Sequence, residues 1–227
     1  MTTINLQNLR DELSHFLRYS DILSISVRGV TRTSAEGYVV VVGGEATHTF
    51  ANVPIRDFKV VTVNSVSKFF LRDYTVNFVT GTLTWNSSLF EGDVVAITYD
   101  YGSSDKIYPD MPRDDLSLTS FPRVGIELTS LSTEPFGLGG ANHISDIVIT
   151  IIVWASVNKD SSIAGGFGGL TDLENTMTSI RDVIRNAAKT FYTFPWIYPK
   201  GTNPITRSTN NKVMQHSQDF MIRFRTE

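Results

Sequence analysis

The 227-residue chain contains no cysteine. That excludes a disulfide framework, cysteine-ligated zinc and thiol catalysis. It fits a reducing compartment, or a particle whose stability does not depend on redox state. A long apolar run is also missing. The longest, Ile147 to Ala155, is too short to span a bilayer core of about 30 Å. The first segment, MTTINLQNLRDELSHFL, carries Asp11 and Glu12 and lacks the apolar stretch of a signal peptide. No sign of charge dominates either: the net charge is −3, which gives no global signal for nucleic acid or membrane binding. With 41% hydrophobic and 19% charged residues the composition is that of an ordinary folded protein. The length suffices for one large domain or two small ones.

Chemical motifs are scarce as well. The four histidines, His15, His48, His143 and His216, show no HExxH spacing and no second metal ligand at metal spacing. Asp110, Asp114 and Asp115 cluster, but without the glycine and distal glutamate of a calcium loop. GLGGAN (137–142) and GGFGGL (165–170) match neither phosphate-loop pattern in a strand-to-helix setting. No GxSxG elbow is present. The sequon Asn86-Ser87-Ser88 carries no weight without a secretion signal. We therefore expect no catalytic residue, no metal and no cofactor, and a protein that is not an enzyme.

What is present is a change of period along the chain. Leu6, Leu9, Leu13, Phe16 and Leu17 recur at helical spacing, with Asn5 as N-cap and Ile4 placed to staple onto Leu9. From Leu23 to Gly102 the period becomes two, in LSISVRG, GYVVVVGG, THTFANV and FKVVTVNSV. FLRDYTVNFVTGTLTWN reads as a hairpin. Gly81 supplies the turn, and an even loop sets Phe78 opposite Leu83 and Val76 opposite Trp85. VVAITYDYG should follow as the third strand of a meander. After an Asp-, Ser- and Pro-rich stretch, Val124, Ile126 and Leu128 open a strand, and TSLSTEPFGLGGANH reads as a long loop. ISDIVITIIVWAS is apolar on both faces and should be a central strand. Thr171 and Glu174 form a capping box ahead of Leu173, Met177, Ile180, Ile184, Ala187 and Phe191. A last strand alternates Phe220, Ile222 and Phe224 with Met221, Arg223 and Arg225. These elements predict an α+β chain of three parts. Residues 1–22 and 118–227 form a sheet with packed helices, 23–102 an inserted β-sandwich or barrel, and 103–117 a linker.

Two features suggest contact surfaces. Between Arg181 and Arg225 eight Lys or Arg face two acids, a local balance of +6 that leaves −9 for the rest. That is either a face for an acidic partner or DNA phosphates, or ordinary solvated surface with cations near a helix C-terminus. Phe136, Leu138 and Phe167 sit in glycine-rich loops, where neighbouring subunits would give them a purpose.

Asp73-Tyr74, Thr80-Gly81-Thr82-Leu83 and Glu91-Gly92-Asp93-Val94 through Tyr101-Gly102 are similar to a hairpin-and-strand module of tailed-bacteriophage virion proteins. Phe121-Pro122-Arg123-Val124, Ile151-Ile152-Val153-Trp154-Ala155 and Leu170-Thr171-Asp172-Leu173 resemble the tail terminator, or tail completion, family. The resemblance implies a sheet with helices packed on one side. It also implies a homohexameric ring at the tail–neck junction, capping the tail tube and ending tail polymerisation. The implied partners are the tail tube protein, the head–tail connector or neck protein and the sheath, with genomic DNA passing through the ring and no membrane. The implied location is the virion, with assembly in the host cytoplasm. Arg123, Glu127, Phe136, Leu138, Phe167, Arg207, Arg223 and Arg225 are the interface candidates. Val76, Phe78, Gly81, Leu83 and Trp85 are the structural core of the hairpin. Another head–tail adaptor or a baseplate protein is the nearest alternative. A carbohydrate-binding β module on an α+β base is the alternative of a different class, and it requires exposed Trp85, Tyr99 or Tyr101.

Overall fold

A computed structural model of the chain describes residues 5–33, 35–109, 122–135, 143–156, 170–187, 197–207 and 213–226. It divides into two units, residues 1–22 with 106–227, and residues 23–105.

The first unit begins with α1, Leu6–Tyr19. The Asn5 side chain accepts from the Gln7 and Asn8 amides, which satisfies two of the amides that a helix start leaves unpaired. Leu9, Leu13 and Leu17 are fully buried along one stripe. At the far end Arg18 Nη2 donates to the Ile107 carbonyl at 2.6 Å, fastening the helix to a short strand, β9, Ile107–Tyr108. The remaining strands are β10 (Arg123–Pro135), β11 (His143–Ser156), β12 (Ile197–Thr202), β13 (Thr206–Arg207) and β14 (Val213–Thr226). They form a sheet of order β12-β14-β11-β10-β9, with β13 also on β14. β11 is the central strand, antiparallel to both neighbours, and β9 joins β10 in parallel. Helix α3, Leu170–Ala187, packs on β11 and β14 through Leu173, Met177, Ile180 and Ile184, all buried. Each such side chain contributes about 1.5–3 kcal/mol of transfer free energy.

In the second unit, β1 (Thr31–Arg32), β2 (Glu36–Val39), β4 (Ile55–Val63), β5 (Val66–Ser67) and β8 (Val94–Tyr101) form one sheet. β3 (Glu45–Thr49), β6 (Tyr74–Asn77) and β7 (Thr82–Leu89) form another. One apolar core serves both. A chain of rings crosses it, Trp85 to Tyr74 to Phe58 to Tyr99 to Phe50, with centroids 4.7 to 6.1 Å apart, the range of favourable edge and tilted contacts.

Several expectations need correction. The chain is β-rich, with fourteen strands and three helices among the described residues, and not the expected α+β. Much of the difference lies in residues 129–135, read as loop. They continue β10, and β11 and β14 run beside them to Pro135, His143 and Thr226. Backbone pairing on a long hairpin outweighs their weak apolar alternation. LSISVRG is no strand. Ser24 caps a single helical turn, α2, Ile25–Arg28, and Gly29 ends it at φ 76. β8 does not continue the hairpin as a meander but pairs with β4, β1 and β2 in the other sheet. Residues 103–109, read as linker, include the buried Asp105 and Ile107. The helix start lies one residue before Thr171, at Leu170. Ile4 and Phe191 lie outside the described residues.

The hairpin has the even loop, but its register differs by two residues. Tyr74 faces Trp85 and Val76 faces Leu83. Phe78 is drawn out of the strand into a four-residue loop, 78–81, because Asn77 Oδ1 accepts from the Val79 and Thr80 amides and starts the turn early. Shifting by two keeps every side chain on its expected face. Leu83 and Trp85 are buried, and Val76 and Phe78 pack partly buried against the same core.

A buried ion cluster closes the second unit. Arg28 is fully buried. Its Nη1 donates to Asp100 at 2.8 Å, and Nε and Nη2 donate to Asp105 at 3.1 and 3.2 Å. Arg32 adds a second fork onto Asp100. Lys59 Nζ stands 3.8 Å from Asp57 and 3.9 Å from Asp100. Burial alone would lower the Arg28 pKa, but the bond and field of Asp105, with Asp57 and Asp100, raise it.

Arg28→Met leaves Asp100 and Asp105 buried without their main cation. It should destabilise the second unit by about 3–5 kcal/mol in urea denaturation. Gly81→Ala should cost at least about 1 kcal/mol, because φ is +68 and the added Cβ collides with Val53 Cγ1. Equal midpoints for Gly81→Ala and wild type would contradict that account of the turn.

Candidate functional site

The sheet of the first unit has two unlike faces. Odd-numbered residues of β11, Ile147, Ile149, Ile151, Val153 and Ala155, stand beside Ile222, Phe220, Gln218, His216 and Met214 of β14. These are buried, on the side that α3 covers. Gln218 shows the contact: its Oε1 accepts from Arg181 Nε of α3 and from Thr202 Oγ1, both at 2.8 Å. Among the described residues no helix packs on the other face.

That other face is cross-linked by polar groups. Thr129 of β10 and Thr150 of β11 share a hydroxyl–hydroxyl bond. Thr150 Oγ1 donates to Asp219 of β14 at 2.8 Å, and Asn203 Nδ2 donates to Asp219 and to Ser217. Further along, Arg223 donates two parallel bonds to Asp146, both 2.7 Å. The fork holds Asp146 below the usual carboxylate range, and the carboxylate raises Arg223 in return. Arg223 is exposed, so the pair fixes geometry more than it adds stability.

The expected interface residues divide. Glu127 and Arg223 are exposed on this face, aligned with Thr150 and Asp146 of β11. Arg123 aligns with Trp154 on the same face, but it is buried, so it is no exposed contact. Burial lowers its pKa, opposed by the field of Tyr108. Arg225 stands opposite Ile144 in the register. Arg207 is exposed on β13, opposite Met214. Phe136, Leu138 and Phe167 lie outside the described residues. Sequence reading missed Asp146, Thr150 and Asp219. They sit on a strand read as uniformly apolar and on a strand known only by its last turns of alternation. Their signal was the antiparallel register, which no spacing along one strand reveals.

The same sheet has a bare edge. β9 covers only Val124 and Gly125 of the thirteen-residue β10. Beyond Gly125 no described strand pairs with the outer edge of β10. Glu127, Thr129, Ser130, Leu131, Ser132, Thr133 and Glu134 are exposed there. Long exposed edges are templates for pairing with another chain.

Besides the buried ion cluster, the second unit holds a titratable group between β2 and β3. The Tyr38 hydroxyl donates to Glu45 at 2.7 Å, and the Tyr38 ring stacks on His48 at 4.2 Å. His48 Nε2 lies 3.7 Å from Glu36, whose other oxygen accepts from the Tyr99 hydroxyl at 3.0 Å. Burial, then the neighbouring carboxylate, pushes both phenols up. The hydroxyls and carboxylates answer one another, so the cluster braces the two sheets. Among the described residues no group of three or more His, Asp or Glu is placed to hold a metal ion, and no helix is long and apolar enough to cross a membrane. Trp85 and Tyr99 are buried and Tyr101 is half-buried. The exposed aromatic platform that a carbohydrate module requires is therefore not formed by these residues. No family model matches the chain, and no curated protein does.

His216 lies under α3 with Nδ1 buried and without a hydrogen-bond partner among the described residues. Burial, and then the Arg181 charge, lowers its pKa, while Glu174 opposes them. The folded protein thus prefers the neutral ring. Stability from this site is present above the ordinary histidine value and is lost as pH falls through the lowered one. An NMR titration should place the His216 midpoint below 6.5, and Arg181→Gln should move it upward. A midpoint unmoved by that change would remove Arg181 as a cause.

Proposed function

We propose that the chain is a structural virion protein of a tailed bacteriophage that assembles into a ring, caps the tail tube and joins it to the head or neck connector. The observation that carries this reading is the bare outer edge of β10. A strand that long, flanked by exposed Glu127, Leu131 and Glu134 and guarded by one bulge at Thr129, is suited to pairing with another subunit. A head-to-tail contact between unlike surfaces closes into a ring when its rotation permits. The polar ladder Thr129–Thr150–Asp219 leaves one sheet face hydrogen-bonding in character, as suits a contact that must form from soluble subunits. The reading also draws on the resemblance of segments 121–124, 151–155 and 170–173 to tail terminators. Its work is positional, so it assigns no residue to catalysis.

Negative-stain microscopy of the purified protein should show rings, six-membered on this reading, and mixing with tail tubes should place them at tube ends. Leu131→Asp, at an exposed position on the bare edge, should reduce ring formation with unchanged circular dichroism. Rings that bind no tube end would favour an adaptor or baseplate role. A monomer at every concentration would overturn the reading.

A further inference from the structure

The bare edge of β10 has a sequence that reads the same in both directions. Residues 129–133 are Thr-Ser-Leu-Ser-Thr, a palindrome centred on Leu131. No described strand covers this edge beyond Gly125, and every residue of the palindrome is exposed. Leu131, 55% exposed, is the one large apolar side chain among them. An antiparallel strand related by a twofold axis runs backwards past the first, so a palindrome there meets its own sequence.

The edge is ordered before any contact. Residues 130–135 keep unbroken register with Val148 to His143 of β11. The Thr133 hydroxyl is bonded to Ser145 Oγ at 3.0 Å, and the Thr129 hydroxyl to Thr150. A strand already held extended loses less entropy when it pairs.

Charge and facing select the register. With Leu131 against Leu131 of a second copy, Ser130 meets Ser132 and Thr129 meets Thr133, hydroxyl pairs that suit cross-strand positions. Glu127 and Glu134 are the only charges from Val124 to Pro135. In this register they fall opposite Pro135 and Leu128, so no two carboxylates confront each other. A slip of one residue sets Glu127 against Glu134 twice, and parallel in-register pairing sets each glutamate beside its own counterpart, both unfavourable. Leu131 aligns with Ile147 on the side that α3 covers. Opposite residues share a face, so Leu131 against Leu131 keeps α3 of both copies on one side of a continuous sheet, whereas a one-residue slip turns one copy over. The bulge after Leu128 bounds the ladder and keeps it short. The far edge of the same sheet is a poorer partner, because β12 carries Pro199, which has no amide to donate, and a bulge between Pro199 and Gly201.

We infer that the β10 edges of two copies of this chain pair antiparallel about a twofold axis at Leu131. The inference goes beyond the ring reading. An isologous contact is satisfied by two copies, so pairs are the unit of assembly, and a six-membered ring is three pairs joined by a second contact.

The lack of native cysteine allows a direct test on the full chain. Opposite Cα atoms of an antiparallel pair lie about 4.5–5.5 Å apart, within disulfide reach. Leu131→Cys should therefore give a covalent dimer under mild oxidation. Thr133→Cys alone should not, because its counterpart is displaced about 13 Å along the strands. Leu131→Asp should raise the dimer dissociation constant in sedimentation at least about tenfold, with unchanged circular dichroism. A Leu131→Cys chain that cross-links no faster than Thr133→Cys overturns the pairing, and rings seen alongside that result leave the ring reading standing. Cross-linked pairs that never assemble further support the pairing and overturn the ring.

Discussion

The inserted unit depends on one buried guanidinium. Arg28 follows the point where the chain enters the unit at Leu23, and Asp100 and Asp105 precede the point where it leaves at Lys106. By bonding to both carboxylates Arg28 joins the two ends. Gly102 donates to the Pro54 carbonyl, and Ser104 Oγ donates to the Gly29 carbonyl, so backbone closes around the same place. Arg56 donates to the Gly102 and Ser103 carbonyls from the other side. A domain whose ends meet can sit inside another domain without prying that domain apart. Such a buried cluster contributes little net stability compared with well-packed apolar side chains of the same volume. What it does is select one arrangement. The three cations Arg28, Arg32 and Lys59 answer Asp57, Asp100 and Asp105, and any other path of the chain at this point would strand a buried charge.

A second constraint shapes the sheet of the first unit. β11 pairs with β14 along its whole length and with β10 from His143 to Trp154, so nearly all its backbone demands are met without side chains. Its two faces are then free to differ. One carries unbroken aliphatic residues under α3. The other interrupts them with Asp146 and Thr150, whose partners Arg223, Asp219 and Thr129 come from the flanking strands. The hydroxyl and carboxylate ladder runs across the strands, at right angles to the chain. It fixes register at Thr129, where the β10 ladder slips by one residue.

Local signals were legible where one segment carried its own explanation. Asn5 and the Leu9–Leu13–Leu17 stripe identify α1, and the Leu173 to Ile184 stripe identifies α3. Gly81 and Leu83 mark the hairpin, and the even loop follows from keeping Tyr74, Leu83 and Trp85 on one face. The rest was set by partners distant in sequence. LSISVRG alternates like a strand, yet Ser24 and Gly29 cap it as a turn and deliver Arg28 to acids more than seventy residues away. Thr129 to Pro135 has the composition of a loop and becomes strand because β11 lies beside it. β8 follows the hairpin in sequence but pairs with β4, since Val95, Ile97 and Tyr99 fill the core from the opposite side. At the candidate surface, exposure of Glu127 and Arg223 could be read from alternation. The burial of Arg123 and the Asp146 partner of Arg223 could not, because neither follows from position along a single strand.

The distribution of charge carries the remaining physical argument. A net charge of −3 conceals three long segments of single sign, 33–55 and 73–105 without Lys or Arg and 183–218 without Asp or Glu. Within the inserted unit, Arg28, Arg32 and Lys59 are spent on the internal cluster, while Glu45 accepts from the Tyr38 hydroxyl and Asp93 from the Phe90 amide and Asn64 Nδ2. In the first unit Arg223 is answered by Asp146, which also lies in the field of Lys200, and Arg181 by Gln218 and Thr202, while Arg207 is exposed on β13. A chain that only needed to fold could intersperse its signs and gain solubility. Separating them costs self-repulsion within each segment. On the ring reading we propose, such separation would disfavour like-to-like pairing of these segments and favour heterologous association between them.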